Sequence, residues 1–285
     1  MPGMHPEPLE PMVSVPDAST RFRALHSGFF VMPNPWDAGT AKLLANLGFS
    51  AIATSSAGLA WTLARRDGGI TRKRAIAHAV EIAQATGLPV NGDFESGYGE
   101  TPAEIGDTIL ASIDAGVAGC SIEDLAVNRP DPLYDLSMAC RRLEAARETI
   151  ERSGSDFVLT GRTEVYFTDM PGKNAVAVER LKAYEAAGAH VVYAPGMTRE
   201  EDVAAIVDAV KVPVNVIAGL GGVSNDLARL EALGVTRISL GSNLIKVALG
   251  AFLGAARALK DGEIRLDGAV DSASMNAAFT PSHAS

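Results

Sequence analysis

The sequence is poor in cysteine, carries no excess of positive charge, and has no long apolar run near its start. Its 285 residues include two cysteines, Cys120 and Cys140, and each lies in a segment that is predicted to be buried. We therefore expect free structural thiols in a reducing compartment rather than a disulfide. The net charge of −9 argues against a large nucleic-acid-binding surface. Residues 1–20 suit neither a signal peptide nor a membrane span, so we expect a cytoplasmic protein without a membrane partner.

The composition is that of a folded globular protein, with 47% hydrophobic and 21% charged residues. Residues 1–20 are rich in proline and are predicted to form an irregular arm. Residues 261–285 are polar and small and are predicted to form an extended tail. Residues 21–260 are long enough for one large α/β domain with a buried core.

Residues 21–260 repeat one pattern, a short apolar run followed by an alanine-rich segment of helical period. The eight predicted strands are 28–32, 51–55, 88–93, 119–123, 157–162, 190–193, 214–218 and 237–240. The predicted helices are 36–47, 71–86, 101–115, 135–152, 174–187, 198–210, 224–233 and 242–260. Eight such units predict a single (β/α)8 barrel of the TIM type. A doubly wound sheet is disfavoured, because it would have fewer strands and no G-x-G-x-x-G motif follows an early strand.

Charged residues end three consecutive strands of the predicted barrel, where catalytic groups normally lie. Asp93 ends the third strand, and Glu95 is predicted to share its face because strand side chains alternate. Glu123 ends the fourth strand and Arg162 the fifth. The carboxylates are predicted to converge on one ion, and the lack of histidine at the strand ends favours Mg²⁺ or Mn²⁺ over zinc. Arg162 is predicted to bind a substrate carboxylate in a bidentate manner. The alternative is a set of separate salt bridges, for example between Arg162 and Glu123.

Small residues follow two other predicted strands. Ser55 and Ser56, with small residues after them, permit close approach of the backbone to an anionic group. Residues 219–222, Gly-Leu-Gly-Gly, follow the seventh strand and are either a tight turn, the preferred interpretation, or an anion-binding loop. None of the five histidines has a partner at the spacing of a ligand pair or a catalytic triad.

Four motifs resemble those of the isocitrate lyase / phosphoenolpyruvate mutase superfamily, and the resemblance runs from about Phe29 to Lys260. The motifs are Asn34-Pro35-Trp36-Asp37-Ala38, Gly48-Phe49-Ser50-Ala51-Ile52 with Ser55-Ser56, Asp93-Phe94-Glu95-Ser96-Gly97-Tyr98-Gly99, and Ser121-Ile122-Glu123-Asp124. The third motif is the most specific, because the family writes it D-x-D-T-G-Y-G. Arg162 also matches the family's substrate-binding arginine.

The resemblance implies a Mg²⁺-dependent enzyme, with Mn²⁺ as an alternative ion, that acts on a small 2-oxo or 2-hydroxy carboxylate through an enolate held on the metal. Asp93 would bind the ion directly, and Glu95, Glu123 and Asp67 would hold it largely through its waters. The residues implied to contact the substrate are Trp36, Ser55, Ser56, Ala57, Asp93 and Arg162. The resemblance further implies a homo-oligomer, a dimer or tetramer, in which the eighth helix, 242–260, swaps between subunits.

Two departures from the family pattern bear on the chemistry. Glu95 stands where the family usually has Asp, which lengthens the side chain and keeps its charge. The isocitrate and methylisocitrate lyases carry a K-K-C-G-H loop after the fourth strand, in which the Cys is the general acid. Residues 125–135 contain no Cys, His or Lys here, although Asn128 and Arg129 lie in this stretch. Arg129 is predicted to take part in catalysis by bringing positive charge over a bound anion.

The missing Cys argues against cleavage of an isocitrate-type substrate and leaves two lyase reactions. These are carbon–carbon cleavage of a malate-like acid and decarboxylation of an oxaloacetate-like acid, of which decarboxylation needs less because water can supply the proton. One alternative is a carbon–phosphorus enzyme, either a phosphonopyruvate hydrolase or a phosphoenolpyruvate mutase. Another is a barrel that binds an oxo acid without turning it over.

Overall fold

Eight parallel strands form one sheet that curls into a nearly closed barrel, as predicted. The structure is a computed structural model, and it describes residues 17–126, 132–219 and 223–280. The strands are β1 Phe30–Met32, β2 Ile52–Ala53, β3 Val90–Asp93, β4 Gly119–Glu123, β5 Val158–Arg162, β6 Val191–Tyr193, β7 Val214–Ile217 and β8 Arg237–Ser239. Their order around the sheet is β1-β8-β7-β6-β5-β4-β3-β2. Every predicted apolar run therefore contains a strand.

Helices alternate with the strands and cover the outside of the barrel. They are α1 Ala18–Leu25, α2 Ala38–Asn46, α3 Ser56–Thr62, α4 Arg72–Thr86, α5 Pro102–Asp114, α6 Leu136–Ser153, α7 Lys173–Ala186, α8 Glu200–Ala209, α9 Leu227–Ala232, α10 Asn243–Lys260 and α11 Ser272–Phe279. Side-chain caps set several starts. At α5, for example, Thr101 accepts from the Glu104 backbone while the Glu104 carboxylate accepts from the Thr101 backbone.

Three helices lie where none was predicted. α1 begins inside the segment assigned to the arm, with Asp17 as its cap, and α3 begins directly after β2 with Ser55 as its cap. The prediction of an extended tail was wrong for residues 272–279, where Asp271 caps α11 by accepting from the Ser274 backbone.

The seam of the barrel lies between β1 and β2, which share no strand ladder in the described residues. The Ala53 N–H donates to the Pro33 oxygen at 3.0 Å. The Asn34 amide group donates to the Thr54 oxygen, and its side-chain oxygen accepts from the Leu240 and Gly241 backbones at 2.9 Å each. A single buried side chain thus ties the ends of β8, β1 and β2 together.

The N-terminal end of the barrel is closed by α1. Phe22 is fully buried there against a cluster that includes Met32, Ala118 and Val158. This plug leaves the C-terminal ends of the strands as the open mouth.

The helix α10 carries large apolar side chains on its exposed surface. Val247, Phe252 and Leu259 are each about two-thirds exposed, at 64%, 66% and 65%. Across the part of the chain that the structure describes, no helix combines the length and the apolar character needed to cross a membrane.

Candidate active site

Arg162 lies at the centre of a group of carboxylates at the barrel mouth. Its Nη1 is 3.2 Å from Oδ1 of Asp93, and its Nη2 is 3.2 Å from Oε2 of Glu123. Its Nε is 2.5 Å from Oε1 of Glu164. The structure therefore contains the salt bridge between Arg162 and Glu123 that was considered as the alternative to a metal site. It also brings Asp93 into contact with the same arginine, while the convergence of the carboxylates on one ion stays a prediction.

The strand register places these groups side by side. Glu123 and Arg162 are register partners on β4 and β5, and Asp93 pairs with Ser121 on β3 and β4. The end of β3 therefore lies two residues before the level at which β4 and β5 end, and Arg162 contacts both Asp93 and Glu123 from β5.

Asp93 is held in place by the turn that leads into α3. Its Oδ2 accepts hydrogen bonds from both the backbone N–H and the hydroxyl of Ser56, each at 2.9 Å. The Asp93 N–H donates to the Thr54 hydroxyl at 2.8 Å. The Ser55 hydroxyl accepts from the Gly58 N–H and caps the helix. Of the two serines predicted to contact the substrate, Ser56 also fixes the orientation of Asp93, and Ser55 caps α3.

Asp124 fixes the loop that follows β5. Its carboxylate is buried and accepts from the Thr163 hydroxyl, the Glu164 backbone, the Tyr184 hydroxyl and Arg180 at 2.6–3.0 Å. Four donors therefore satisfy the hydrogen-bonding capacity of this buried carboxylate. Asp124 is thereby a positioning group for Glu164, and it is not available to bind an ion.

Glu95 lies near the other carboxylates because of a turn after β3, which strand periodicity did not predict. β3 ends at Asp93, and Glu95 has a left-handed backbone conformation with φ of 49°. The prediction that both side chains follow from one alternating strand face was therefore wrong. Glu95 is nevertheless close enough to Asp93 and Asp67 for their charges to act on it.

Burial and neighbouring charges raise the pKa of Glu95 and Glu123 in the acid cluster. Burial, then the charges of Asp93 and Asp67, raise the pKa of Glu95 to about 7, while Arg162 opposes the rise. The Tyr98 hydroxyl also lowers the pKa of Glu95 slightly, although no hydrogen bond of good geometry joins them. Burial likewise raises the pKa of Glu123 well above its ordinary value, against the attraction of Arg162. Additional positive charge would relieve this repulsion.

The donor set fits a hard divalent cation. Asp67, Asp93, Glu95 and Glu123 supply oxygen ligands, which Mg²⁺ prefers. Oε1 of Glu95 is buried without a hydrogen-bond partner among the described residues, so an acceptor is available for an ion or its water. Within the same residues, no three acidic, histidine or cysteine side chains are already arranged to coordinate one ion. Arg162 supplies positive charge among these carboxylates instead.

A cavity of about 510 Å³ opens above Arg162. It is lined by Ser55, Ser56, Ala57, Asp67, Asp93, Arg162, Glu164, Phe167, Tyr193, Pro195, Gly196, Ile217, Gly241, Ser242, Asn243 and Lys246. Six of the predicted site residues thus line one cavity. Glu95 and Glu123 do not line it. Trp36 is also absent from the described wall, and its backbone oxygen lies 3.0 Å from Nε2 of His78. Arg129 and Asn128 lie outside the described residues.

Ten of the lining residues were not predicted as site residues, and three of these ten have ionisable side chains. Glu164 lies two positions beyond Arg162, and this short spacing was its only signal in the sequence. Tyr193 ends β6 beneath Arg162, whose guanidinium carbon is 5.4 Å from the ring centre. Burial raises the pKa of Tyr193 to about 12, so its hydroxyl stays protonated at neutral pH. Lys246 lies on the first turn of α10, where nothing in the local sequence distinguishes it.

A larger cavity, of about 740 Å³, lies at the opposite end of the barrel. Its wall includes Arg23, His26, Arg147 and His190, and the carboxylates of the barrel mouth are absent from it. Burial lowers the pKa of both His26 and His190 to about 3. The group of carboxylates with a bound arginine therefore lies at the smaller cavity.

Both cysteine thiols are free in the structure. Burial raises the pKa of Cys120, which is consistent with a structural role.

Comparison with known proteins gives consistent matches along most of the chain. A sequence model of the family described as phosphoenolpyruvate phosphomutase matches residues 22–260. A crystal structure from Burkholderia cenocepacia J2315, described only provisionally as a lyase/mutase, is 41% identical, has a TM-score of 0.89, and aligns with 93% of this chain and 96% of that chain. "Probable 2-methylisocitrate lyase 2" of Corynebacterium glutamicum is 30% identical over 77% of this chain and 72% of its own length. The oxaloacetate decarboxylase of Paraburkholderia xenovorans is 33% identical over 63% of this chain and 60% of its own length.

Proposed function

The chain belongs to the isocitrate lyase / phosphoenolpyruvate mutase superfamily, and from this premise we propose that it is a Mg²⁺-dependent lyase of small 2-oxo or 2-hydroxy dicarboxylates. The observation that carries the proposal is the convergence of Asp93, Glu123 and Glu164 on Arg162 at the barrel mouth. Mutually repelling carboxylates in a cavity of this kind are typical of a site that binds a cation and an anionic substrate together.

Each group has a distinct task in the proposed site. Asp93, Glu95, Glu123 and Asp67 would hold Mg²⁺, or Mn²⁺ in its place. When bound, the ion would supply positive charge beside the carbonyl oxygen of the substrate.

The remaining side chains orient the substrate and its surroundings. Ser56 keeps Asp93 in position through two hydrogen bonds. Arg162 favours the charged forms of Glu95 and Glu123, because its guanidinium opposes the rise in the pKa of each carboxyl. Ser55, Ser56 and Ala57 would contact the carboxylate next to the substrate carbonyl.

Decarboxylation of an oxaloacetate-like acid is the favoured reaction. The bond between C3 and the C4 carboxylate breaks, its electron pair moves to the C2 carbonyl to form an enolate, and CO₂ leaves. C3 of the enolate then takes a proton from water. Residues 125–135 offer no Cys, His or Lys as a general acid, and this reaction does not need one there. The similarity to an oxaloacetate decarboxylase supports the same choice.

Carbon–phosphorus chemistry is the second candidate, because the matching family model is described as phosphoenolpyruvate phosphomutase. A phosphonopyruvate substrate would present the same carboxylate and carbonyl to the acid cluster and would replace the second carboxylate with a phosphonate. The two candidates therefore differ at the far end of the substrate.

The test is a substrate screen in the presence of Mg²⁺, with EDTA as the metal-free control. Oxaloacetate, malate, 2-methylisocitrate and phosphonopyruvate are incubated with the protein, and products are identified by proton and phosphorus NMR. We expect Mg²⁺-dependent formation of pyruvate from oxaloacetate above the spontaneous rate. Turnover of phosphonopyruvate alone would establish the second candidate instead. Mg²⁺-dependent binding of oxaloacetate without any product would identify a binding protein.

We also propose that α10 packs against another copy of the chain. Its apolar side chains, including Val247, Phe252 and Leu259, are exposed in the single subunit. Burying them against a second subunit would remove apolar surface from water. This proposal agrees with the helix swap that the superfamily resemblance implies.

A further inference from the structure

Lys246 is the basic side chain of the cavity wall that has no acidic partner within the described part of the chain. Among the described residues that line the cavity, the basic ones are Arg162 and Lys246. Arg162 already contacts Asp93, Glu123 and Glu164. No carboxylate of the described residues lies within ion-pair distance of Lys246. Its positive charge is therefore available to an anion that enters the cavity.

The position of Lys246 separates it from the acid cluster. Lys246 lies on the first turn of α10, directly after β8. In the strand order, β8 is four places from β4 in one direction, through β7, β6 and β5. In the other direction it is also four places away, across the seam and through β1, β2 and β3. Glu123 ends β4, so Lys246 and Glu123 lie on opposite sides of the barrel mouth.

The start of α10 is fixed, so Lys246 is presented from a defined place. The buried Asn243 side chain donates to the Ala218 oxygen at 2.9 Å and ties the start of the helix to the end of β7. Asn34 accepts from the Leu240 and Gly241 backbones and anchors the segment from β8 into the helix. The four-carbon side chain of Lys246 then reaches over the cavity from a fixed base.

We propose that Lys246 binds the second anionic group of the substrate, the one remote from the carbonyl, and so selects dicarboxylates over monocarboxylates. The inference rests on the proposed function, because it assumes that the carboxylate and carbonyl end of the substrate lies at the acid cluster. A substrate held this way spans the mouth from the acids near β3 and β4 to the helix that follows β8. Lys246 is then a specificity-determining residue.

The test measures binding of three probes in the presence of Mg²⁺ by calorimetry. Malate carries the second carboxylate, its 4-amide has nearly the same shape without that charge, and oxalate presents only the end assigned to the acid cluster. The variants are Lys246→Met, which removes the charge, and Lys246→Arg, which keeps it. Lys211→Met removes an exposed lysine between α8 and β7, at the opposite end of the barrel, and is the matched control.

We expect the wild type and Lys211→Met to bind malate roughly tenfold more tightly than its 4-amide, as for a hydrogen bond to a charged group. Lys246→Met should abolish this preference and leave oxalate binding within about twofold of wild type. Lys246→Arg should retain most of the preference.

Three results would overturn the assignment of Lys246. The first is an unchanged preference for malate over its 4-amide in Lys246→Met, and the second is no such preference in the wild type. The third is an equal loss of oxalate and malate binding in Lys246→Met, which would place Lys246 at the shared end of the ligand. A wild type that does not bind oxalate with Mg²⁺ would contradict the proposed function itself.

Discussion

Nη1 of Arg162 lies 3.2 Å from Oδ1 of Asp93, so the arginine expected to bind substrate contacts the aspartate expected to bind metal. Oδ2 of the same aspartate accepts both hydrogen bonds from Ser56. The two oxygens of Asp93 therefore have different neighbours, one cationic and one neutral. The cationic contact positions Asp93 before any ion or substrate enters.

Asp93→Asn should reduce Mg²⁺-dependent turnover by at least about 100-fold, because an amide retains the shape of the side chain and loses the charge that holds the cation. The measurement is the initial rate against Mg²⁺ concentration. Asp114→Asn, at the exposed C-terminal end of α5, is the control and should behave as wild type. A rate for Asp93→Asn within tenfold of wild type, with the same dependence on Mg²⁺, would contradict the metal assignment.

Arg162→Lys should lower the free energy of unfolding by about 1–3 kcal/mol, because an ammonium cannot contact three carboxylates as the planar guanidinium does. The substrate KM should rise as well, since the acid cluster would lose its arrangement. Chemical denaturation and steady-state kinetics measure the two effects. Arg141→Lys, on the exposed side of α6, should change neither. An unaltered KM together with unaltered stability in Arg162→Lys would remove Arg162 from the site.

The thermal stability of the metal-free protein should fall as the pH rises through about 7. The pKa of Glu95 is raised to about 7 from an ordinary value of 4.5. A carboxyl of this kind stabilises the fold fully below its unfolded pKa, and that contribution is lost as the pH rises through the folded pKa. Mg²⁺ should therefore raise the Tm more at about pH 8 than at about pH 5.5. Calorimetric scans of wild type and Glu95→Gln test this, and an equal pH slope in both proteins would contradict it.

Asp124→Asn should destabilise the fold by about 3 kcal/mol, because the buried Arg180 guanidinium would lose its ionic partner. Turnover should fall too, since the Glu164 backbone would lose an acceptor and the loop after β5 would move. Tyr184→Phe removes only one of the four donors and should cost about 1 kcal/mol. Equal stability of Asp124→Asn and wild type in urea would show that Asp124 does not anchor this loop.

Phe252→Glu should convert the proposed oligomer into smaller species, since it places a charge on the exposed apolar surface of α10. Sedimentation velocity measures the change. Arg257→Glu, on the same helix, is a control that changes charge without removing an apolar side chain. A monomeric wild type would contradict the proposed packing of α10.

The fold was predictable because its signals are local. Apolar runs give the strands, and terminal glycines such as Gly87 and Gly154 end the helices in the left-handed conformation. Short capped helices escaped prediction where the cap was interpreted as a functional serine, as at Ser55 before α3, or as part of a tail, as at Asp271 before α11.

From the strand pattern alone, site residues could be proposed only where an ionisable side chain ends a strand, whereas Asp67 was proposed from the family resemblance. Asp93, Glu123 and Arg162 end β3, β4 and β5, so barrel geometry alone places them together. The position of Glu95 depends on a left-handed turn, which a period of two residues cannot represent. Lys246 meets the cavity only because β8 closes beside β1, and this relation joins residues that are far apart in the sequence.

The barrel is a curled sheet whose two edge strands, β1 and β2, meet at the seam beside Asn34. The side chain of Asn34, with the Ala53 hydrogen bond beside it, joins edges that elsewhere share a strand ladder. The link between β1 and β2 therefore depends on one side-chain and one backbone hydrogen bond, close in the sequence to Ser55 and Ser56. Replacing Asn34 should accordingly weaken the barrel wall on the side where the substrate carboxylate is proposed to bind.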